Sequence, residues 1–176
     1  MIKEQVLEQG YGVYNFVNGD WRYRDDKGNY HLYRDGEELT KGIIVKGCHS
    51  YPNGDWQYTD DNGNYHLYRD GEELTKGVVA KDCWDYPNGD WRYIDENSNY
   101  HLYRDGKELT KGIVAQHCHS YPNGDWRYRD DKSNYHLYRD GEELTKGIIA
   151  KDCWSFDNGD WGYTDGNYKY HPIKNN

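Results

Sequence analysis

Residues 21–25, Trp-Arg-Tyr-Arg-Asp, alternate aromatic with charged side chains, and the alternation resumes over Tyr30-His31-Leu32-Tyr33. A period of two marks a β-strand with one buried face, because successive strand side chains point to opposite sides. The pattern predicts a hairpin. Trp21 and Tyr23 face inward, Tyr30 and Leu32 share one face of the second strand, and His31 and Tyr33 take the other, exposed face. Asp26-Lys27-Gly28-Asn29 supplies the turn, since Gly and Asn adopt left-handed backbone angles cheaply. Asp35-Gly36 predicts a second turn. Residues 39–45 then read as a third strand, whose run Ile43-Ile44-Val45 is apolar on both faces and is expected to be the most buried. Tyr51-Pro52-Asn53-Gly54 ends the unit in a turn preset by proline. No apolar run at helical spacing is present, so no helix is expected.

The unit is copied. Asn-Gly-Asp-Trp begins at Asn18, Asn53, Asn88, Asn123 and Asn158, at a constant spacing of 35 residues, and Asn-Tyr-His-Leu-Tyr-Arg-Asp-Gly follows from Asn29, Asn64, Asn99 and Asn134. A fixed period of this size signals a repeat architecture in which each unit needs its neighbours to bury its apolar face. The expected fold is all-β, a single repeat domain over residues 1–176. The fifth copy stops after its hairpin, and residues 6–16 occupy the slot of a third strand, so residues 1–17 are expected to complete the last unit. That predicts a five-bladed β-propeller closed by its termini, an arrangement that removes open sheet edges. The alternative is an open β-hairpin solenoid, favoured by the residue after each cysteine, which alternates as His49, Trp84, His119 and Trp154.

Charge and composition narrow the partners. Across 176 residues the net charge is −9, and arginines such as Arg22, Arg34 and Arg69 lie among acids, which argues against nucleic acid as a partner. The N-terminus lacks the apolar core of a secretory signal and no stretch is long enough to span a bilayer, so a soluble, cytoplasmic protein without membrane partners is expected. With 20 Tyr and 7 Trp, aromatic rings must supply most of the core. Cys48, Cys83, Cys118 and Cys153 are one position copied four times, without the CxxC spacing of a zinc site, and read as reduced, buried thiols.

The text Gly-Asp-Trp-Arg-Tyr-Arg-Asp-Asp-Lys-Gly-Asn-Tyr-His-Leu-Tyr-Arg-Asp-Gly-Glu-Glu-Leu resembles the aromatic hairpin repeats of bacterial choline- and glucan-binding cell-wall modules. It also resembles the short blades of aromatic-rich β-propellers. The shared features are Trp-x-Tyr, a glycine-containing turn and a second aromatic strand ending in Asp-Gly. The resemblance implies a binding repeat; the longer period and the inserted Glu-Leu-Thr-Lys-Gly segment depart from the choline-binding type, and no ligand residues are carried over.

Near-identical copies repeat one environment, whereas an active site needs residues in unlike environments, so no enzyme activity, cofactor or metal is expected. Asp25-Asp26-Lys27-Gly28-Asn29 lacks the spaced oxygen ligands of a calcium loop. The series His31, His66, His101 and His136 reads as exposed strand histidines rather than metal ligands, and Cys48 and His49, adjacent on a strand, point to opposite faces. Binding is the better expectation. Tyr33, Tyr68, Tyr103 and Tyr138, the four histidines, and Trp84 and Trp154 are the candidate ligand-binding residues, with the Asn-Gly-Asp-Trp tryptophans assigned to the core. Flat rings beside hydrogen-bonding side chains suit sugars, and repeated weak sites gain avidity, so a multivalent, lectin-like module is expected. The alternative is a structural or protein-interaction repeat scaffold.

Overall fold

The computed structural model describes residues 2–175 and is built from five antiparallel sheets in tandem, with one short helix. It divides into two compact units, Met1–Cys83 and Trp84–Asn176.

In the first unit, helix α1 (Lys3–Glu8) precedes a sheet of β1 (Val13–Asn15), β2 (Trp21–Arg24), β3 (Tyr30–Arg34) and β4 (Glu37–Glu38), in that order. The second sheet repeats this with β5 (Gly47–Ser50), β6 (Trp56–Thr59), β7 (Tyr65–Arg69) and β8 (Glu72–Glu73). The division between units falls within β9 (Asp82–Asp85). The second unit joins the Trp84–Asp85 end of that strand to β10 (Trp91–Ile94), β11 (Tyr100–Arg104) and β12 (Lys107–Glu108). The fourth sheet is β13 (His117–Ser120), β14 (Trp126–Arg129), β15 (Tyr135–Arg139) and β16 (Glu142–Glu143). The fifth has three strands, β17 (Asp152–Ser155), β18 (Trp161–Thr164) and β19 (Tyr170–Ile173).

The hairpins form where the alternation places them. Trp21 stands opposite Tyr33 and Tyr23 opposite His31. Asp25 closes the first turn, its Oδ1 accepting the N–H groups of Lys27 and Asn29, and Gly28 takes φ +83°. Asp35 and Gly36 both have positive φ, 49° and 84°, the two-residue hairpin turn whose twist matches its strands.

The third strand is where the structure departs from the sequence expectation. Residues 39–45 form no strand. Leu39 N–H still bonds Leu32 O and Thr40 Oγ1 accepts the Leu32 N–H, but the chain then reverses through Gly42, at φ +80°, with Ile43 N–H on Thr40 O. Of the apolar run only Val45 is buried; Ile43 and Ile44 are 37% and 57% exposed. The true outer strand is Gly47–Ser50, which pairs with the next copy's tryptophan strand, Ser50 opposite Trp56 and Cys48 opposite Tyr58. Val13–Asn15 holds the same place beside Trp21–Arg24 and so opens the first sheet.

Each sheet therefore presents two unlike faces. Leu32, on one face of the first sheet, is fully buried with Phe16 and Val45 against Cys48, Trp56 and Tyr58 of the second. The second unit repeats this packing with Tyr86, Leu102 and Ala115 against Cys118, Trp126 and Tyr128. The helix, which no periodicity announces because it has six residues and one buried side chain, lays Val6 over Trp21, Tyr23 and Tyr33.

Candidate functional site

Four positions of each copy carry chemistry, and the strand pairing brings them into one cluster. In the first copy the Tyr33 ring stacks on Trp21 at 4.3 Å and 8°, and His31 stacks on Tyr23 at 4.7 Å and 12°. The second to fourth copies repeat the first stack as Trp56–Tyr68, Trp91–Tyr103 and Trp126–Tyr138, at 4.4, 4.5 and 4.6 Å. They repeat the second as Tyr58–His66, Tyr93–His101 and Tyr128–His136. The face expected to be open is thus a four-ring ladder laid against the core side of the sheet. Tyr33 is 3% exposed, and Tyr68, Tyr103 and Tyr138 are half-buried. The sidedness was legible, but cross-strand partners touch, so a tyrosine opposite an inward tryptophan goes inward with it.

The histidines are held at both ring nitrogens. His31 Nδ1 lies 2.7 Å from Glu38 Oε1 and Nε2 lies 3.2 Å from Asp25 Oδ2. The same two carboxylate positions flank His66, His101 and His136. A carboxylate only accepts, so both nitrogens of His31 can bond at once only as imidazolium. Burial opposes that charge, but the bonds from Glu38 and Asp25 outweigh it and hold His31 above its ordinary pKa. Asp25 is drawn down: burial raises it, and the Asn29 N–H and His31 more than offset the rise. Burial also raises the Tyr33 hydroxyl, reinforced by Glu38, whose Oε2 accepts its proton at 3.2 Å. His171 is a fifth member, one period after His136, stacked on Tyr163 and bonded to Asp165; the altered text around it hid the match.

A second cluster joins successive copies within each unit. Asn18 Nδ2 donates to Ser50 Oγ at 2.7 Å and Tyr51 O at 3.0 Å, and Ser50 Oγ donates to Asp20 Oδ2. Arg34 holds Asp20 through Nε and Nη2 and reaches Gly54 O at 2.7 Å. Asn88, Asp90, Ser120 and Arg104 make the same set in the second unit. Asn123, Asp125, Arg139 and Ser155 form it once more, and a polar pocket of about 330 Å³ lies against the first and the last of these sets, lined in one by Asn18, Asp20, Arg34, Pro52 and Gly54 and in the other by Asn123, Asp125, Arg139, Asp157 and Gly159.

The remaining candidates are dispersed. Trp84 is 51% exposed, whereas Trp154 is half-buried with its edge against Tyr170 at 5.9 Å. All four cysteines are free and buried, and burial pushes the Cys48 thiol up to about 11. Among the described residues no group of three His, Cys, Asp or Glu side chains is placed to hold a metal ion, and no helix is long and apolar enough to cross a membrane.

The surface feature that sequence reading missed is the turn after each ladder. Ile43 and Ile44, Val78 and Val79, Val114 and Ile149 are all 37–66% exposed. Lys41, Lys76, Lys111 and Lys146, two or three residues earlier, are exposed and make no ion pair among the described residues. The signal was available in Thr-Lys-Gly, where glycine after lysine marks a reversal rather than a strand.

No family model matches this sequence, and no curated protein matches it. Solved structures similar to the chain include YCF48 bound to D1 peptide, 13% identical with a TM-score of 0.44, the match covering 92% of this chain and 67% of that one. The WD40 β-propeller domain of Doa1 is 12% identical with a TM-score of 0.36, over 92% of this chain and 62% of its own. BBS1N in complex with ARL6DN is 8% identical with a TM-score of 0.37, over 93% and 64%.

Proposed function

We propose that this chain is a non-enzymatic repeat scaffold that binds other proteins at several copies of one surface. The observation that supports it is the repeated exposed aliphatic turn. Branched apolar side chains held outward cost solvation in the free protein, and when they recur beside an exposed lysine they suit burial against a partner. Each turn is rigidly presented, because Thr40, Thr75, Thr110 and Thr145 are buried and anchor it to the leucine strand. Weak contacts at linked copies would sum to useful avidity.

The lectin-like reading has lost most of its surface, since Tyr33 and its equivalents give a ring face to their own tryptophans. It now rests on Trp84, whose indole is open to solvent. The test replaces Ile44, Val79, Val114 and Ile149 together by Ser and compares cross-linked complexes formed in cell extract by this variant, by the parent and by Trp84→Ala. Loss of specific complexes in the quadruple variant, with circular dichroism unchanged, is expected. Complexes that survive it, or saturable glycan binding abolished by Trp84→Ala, would overturn the reading.

A further inference from the structure

The fifth sheet carries a cleft of about 350 Å³ whose counterpart is filled in the first and third copies. Its walls are Phe156, Trp161, Tyr170, Pro172 and Ile173, and Asn158 and Lys174 stand at its rim. The volume lies in the range of small binding sites.

The other copies show what fits there. Phe16, the counterpart of Phe156, and Leu32, the counterpart of Pro172, are buried against Trp56 and Tyr58 of the second sheet. Tyr86 and Leu102 receive Trp126 and Tyr128 in the same way. The hairpin that brings each tryptophan also brings a serine on its other strand, Ser50 opposite Trp56 and Ser120 opposite Trp126. Those serines, with the carbonyl oxygens of Tyr51 and Tyr121, take the hydrogen bonds of Asn18 and Asn88. Asn158 bonds Asp160 alone among the described residues, and Phe156 and Tyr170 are each 47% exposed.

The residues of this copy also reshape the seat. Gly162 stands where the earlier copies have Arg22, Gln57, Arg92 and Arg127, and the Tyr170 ring lies over it so closely that an added Cβ would come within 2.7 Å. Ile173 replaces the tyrosine opposite the tryptophan. Pro172, on the outer strand, has no N–H to offer an added strand, which argues against edge pairing and for side-chain insertion.

We infer that the fifth sheet is a docking site for a β-hairpin of another protein that presents a tryptophan across from a serine, the indole entering the cleft and the serine and a backbone carbonyl meeting Asn158. The inference continues the copy-to-copy interface onto an open face. It rests on the reading of the chain as a protein-binding scaffold but uses none of the aliphatic turns, so either can fail alone.

The probe is a backbone-cyclised peptide copying residues 48–59 with its cysteine replaced by alanine, titrated into the full chain by calorimetry. N-acetyl-tryptophan amide, which needs no folding, is followed in parallel by NMR. Saturable 1:1 binding is expected, weakened at least about tenfold when the peptide's tryptophan is alanine, as for a buried interface anchor. Gly162→Gln, which displaces Tyr170, should abolish it, and Asn158→Ala should weaken the hairpin but not the amide. Equal binding of the tryptophan-free peptide, unchanged binding to Gly162→Gln, or no perturbation of Phe156 and Tyr170 by either probe would overturn the inference. The quadruple turn variant should bind both probes as the parent does.

Discussion

The aromatic ladder and the aliphatic turn invert each other. Tyr68 and His66 belong to residue types that usually meet water, yet they lie stacked and bonded against the sheet. Val78 and Val79 belong to types that usually fill cores, yet they face solvent at 38% and 43% exposure. The difference lies in backbone geometry rather than in side-chain polarity. A residue in a strand inherits the environment of its cross-strand partner, whereas a residue past Thr-Lys-Gly has left the sheet and inherits nothing.

The sharpest break in that comparison is Leu67→Ala against Val79→Ala. Leu67 is fully buried and its truncation leaves a cavity, so a loss of about 3 kcal/mol is expected, while Val79→Ala should stay within about 0.5 kcal/mol. Urea titration followed by tryptophan fluorescence measures both, and a large Val79 effect would mean that the turn is packed after all. Next comes Tyr68→Ala, which removes the ring from Trp56 and the bond to Glu73; about 2 kcal/mol is expected, below a full core truncation because Tyr68 is only half-buried.

A smaller effect, in the opposite direction, is expected at His117. Its counterparts are Gly47, Asp82 and Asp152, and Asp152 pairs with Arg127 at 2.5 Å. His117 instead lies among arginines with its buried Nδ1 unbonded among the described residues. Burial, then Arg92 and Arg127, depress its pKa to about 4. His117→Asp gives those cations a carboxylate and should stabilise by about 1 kcal/mol. An unchanged urea midpoint would show that the site already finds a partner in water.

The mildest test is the pH dependence of the ladder. The His31 pKa lies above its ordinary 6.5, so its contribution is fully present below pH 6.5 and fades as pH rises through the raised value. His117, His49 and His119, each held below its ordinary pKa chiefly by burial, act in reverse, losing stability as pH falls below 6.5, so the parent profile alone mixes the two. The difference between parent and His31→Gln isolates the ladder: it should be constant from pH 5 to about 6 and shrink above 6.5. A difference that grows with pH would contradict an imidazolium between Asp25 and Glu38.

Much of this fold was legible because the copies agree. Trp21-Arg22-Tyr23 and the turns at Asp25 and Asp35 follow local rules, and local rules decide two-stranded pairing. What stayed hidden depends on three-dimensional neighbours. No pattern in Gly-Cys-His-Ser says that it pairs with the tryptophan after it rather than with the leucine strand before it. Nor does Tyr33 announce that it stacks on Trp21, because alternation gives sidedness but not which side a second layer will cover. Of the candidate residues, Trp84 is 51% exposed, whereas Trp154, the tyrosines and the histidines are buried or half-buried.

The outer strand contributed to each sheet by the preceding copy has a kinetic consequence. Gly47–Ser50 finishes one copy but completes the sheet of the next. Since the copies are nearly identical, a strand emerging from the unfolded ensemble meets several tryptophan strands of nearly equal chemical fitness, and sequence proximity does most to favour the right one. Pairing with the neighbour closes a short loop, while skipping a copy closes one longer by a whole period at only a small extra entropic cost. Such a chain discriminates imperfectly among registers, and at high concentration the competing strand can come from a different molecule. The few positions that break the repeat, Gly47, Asp82, His117 and Asp152 among them, head these outer strands, so the ambiguity is least where a strand begins.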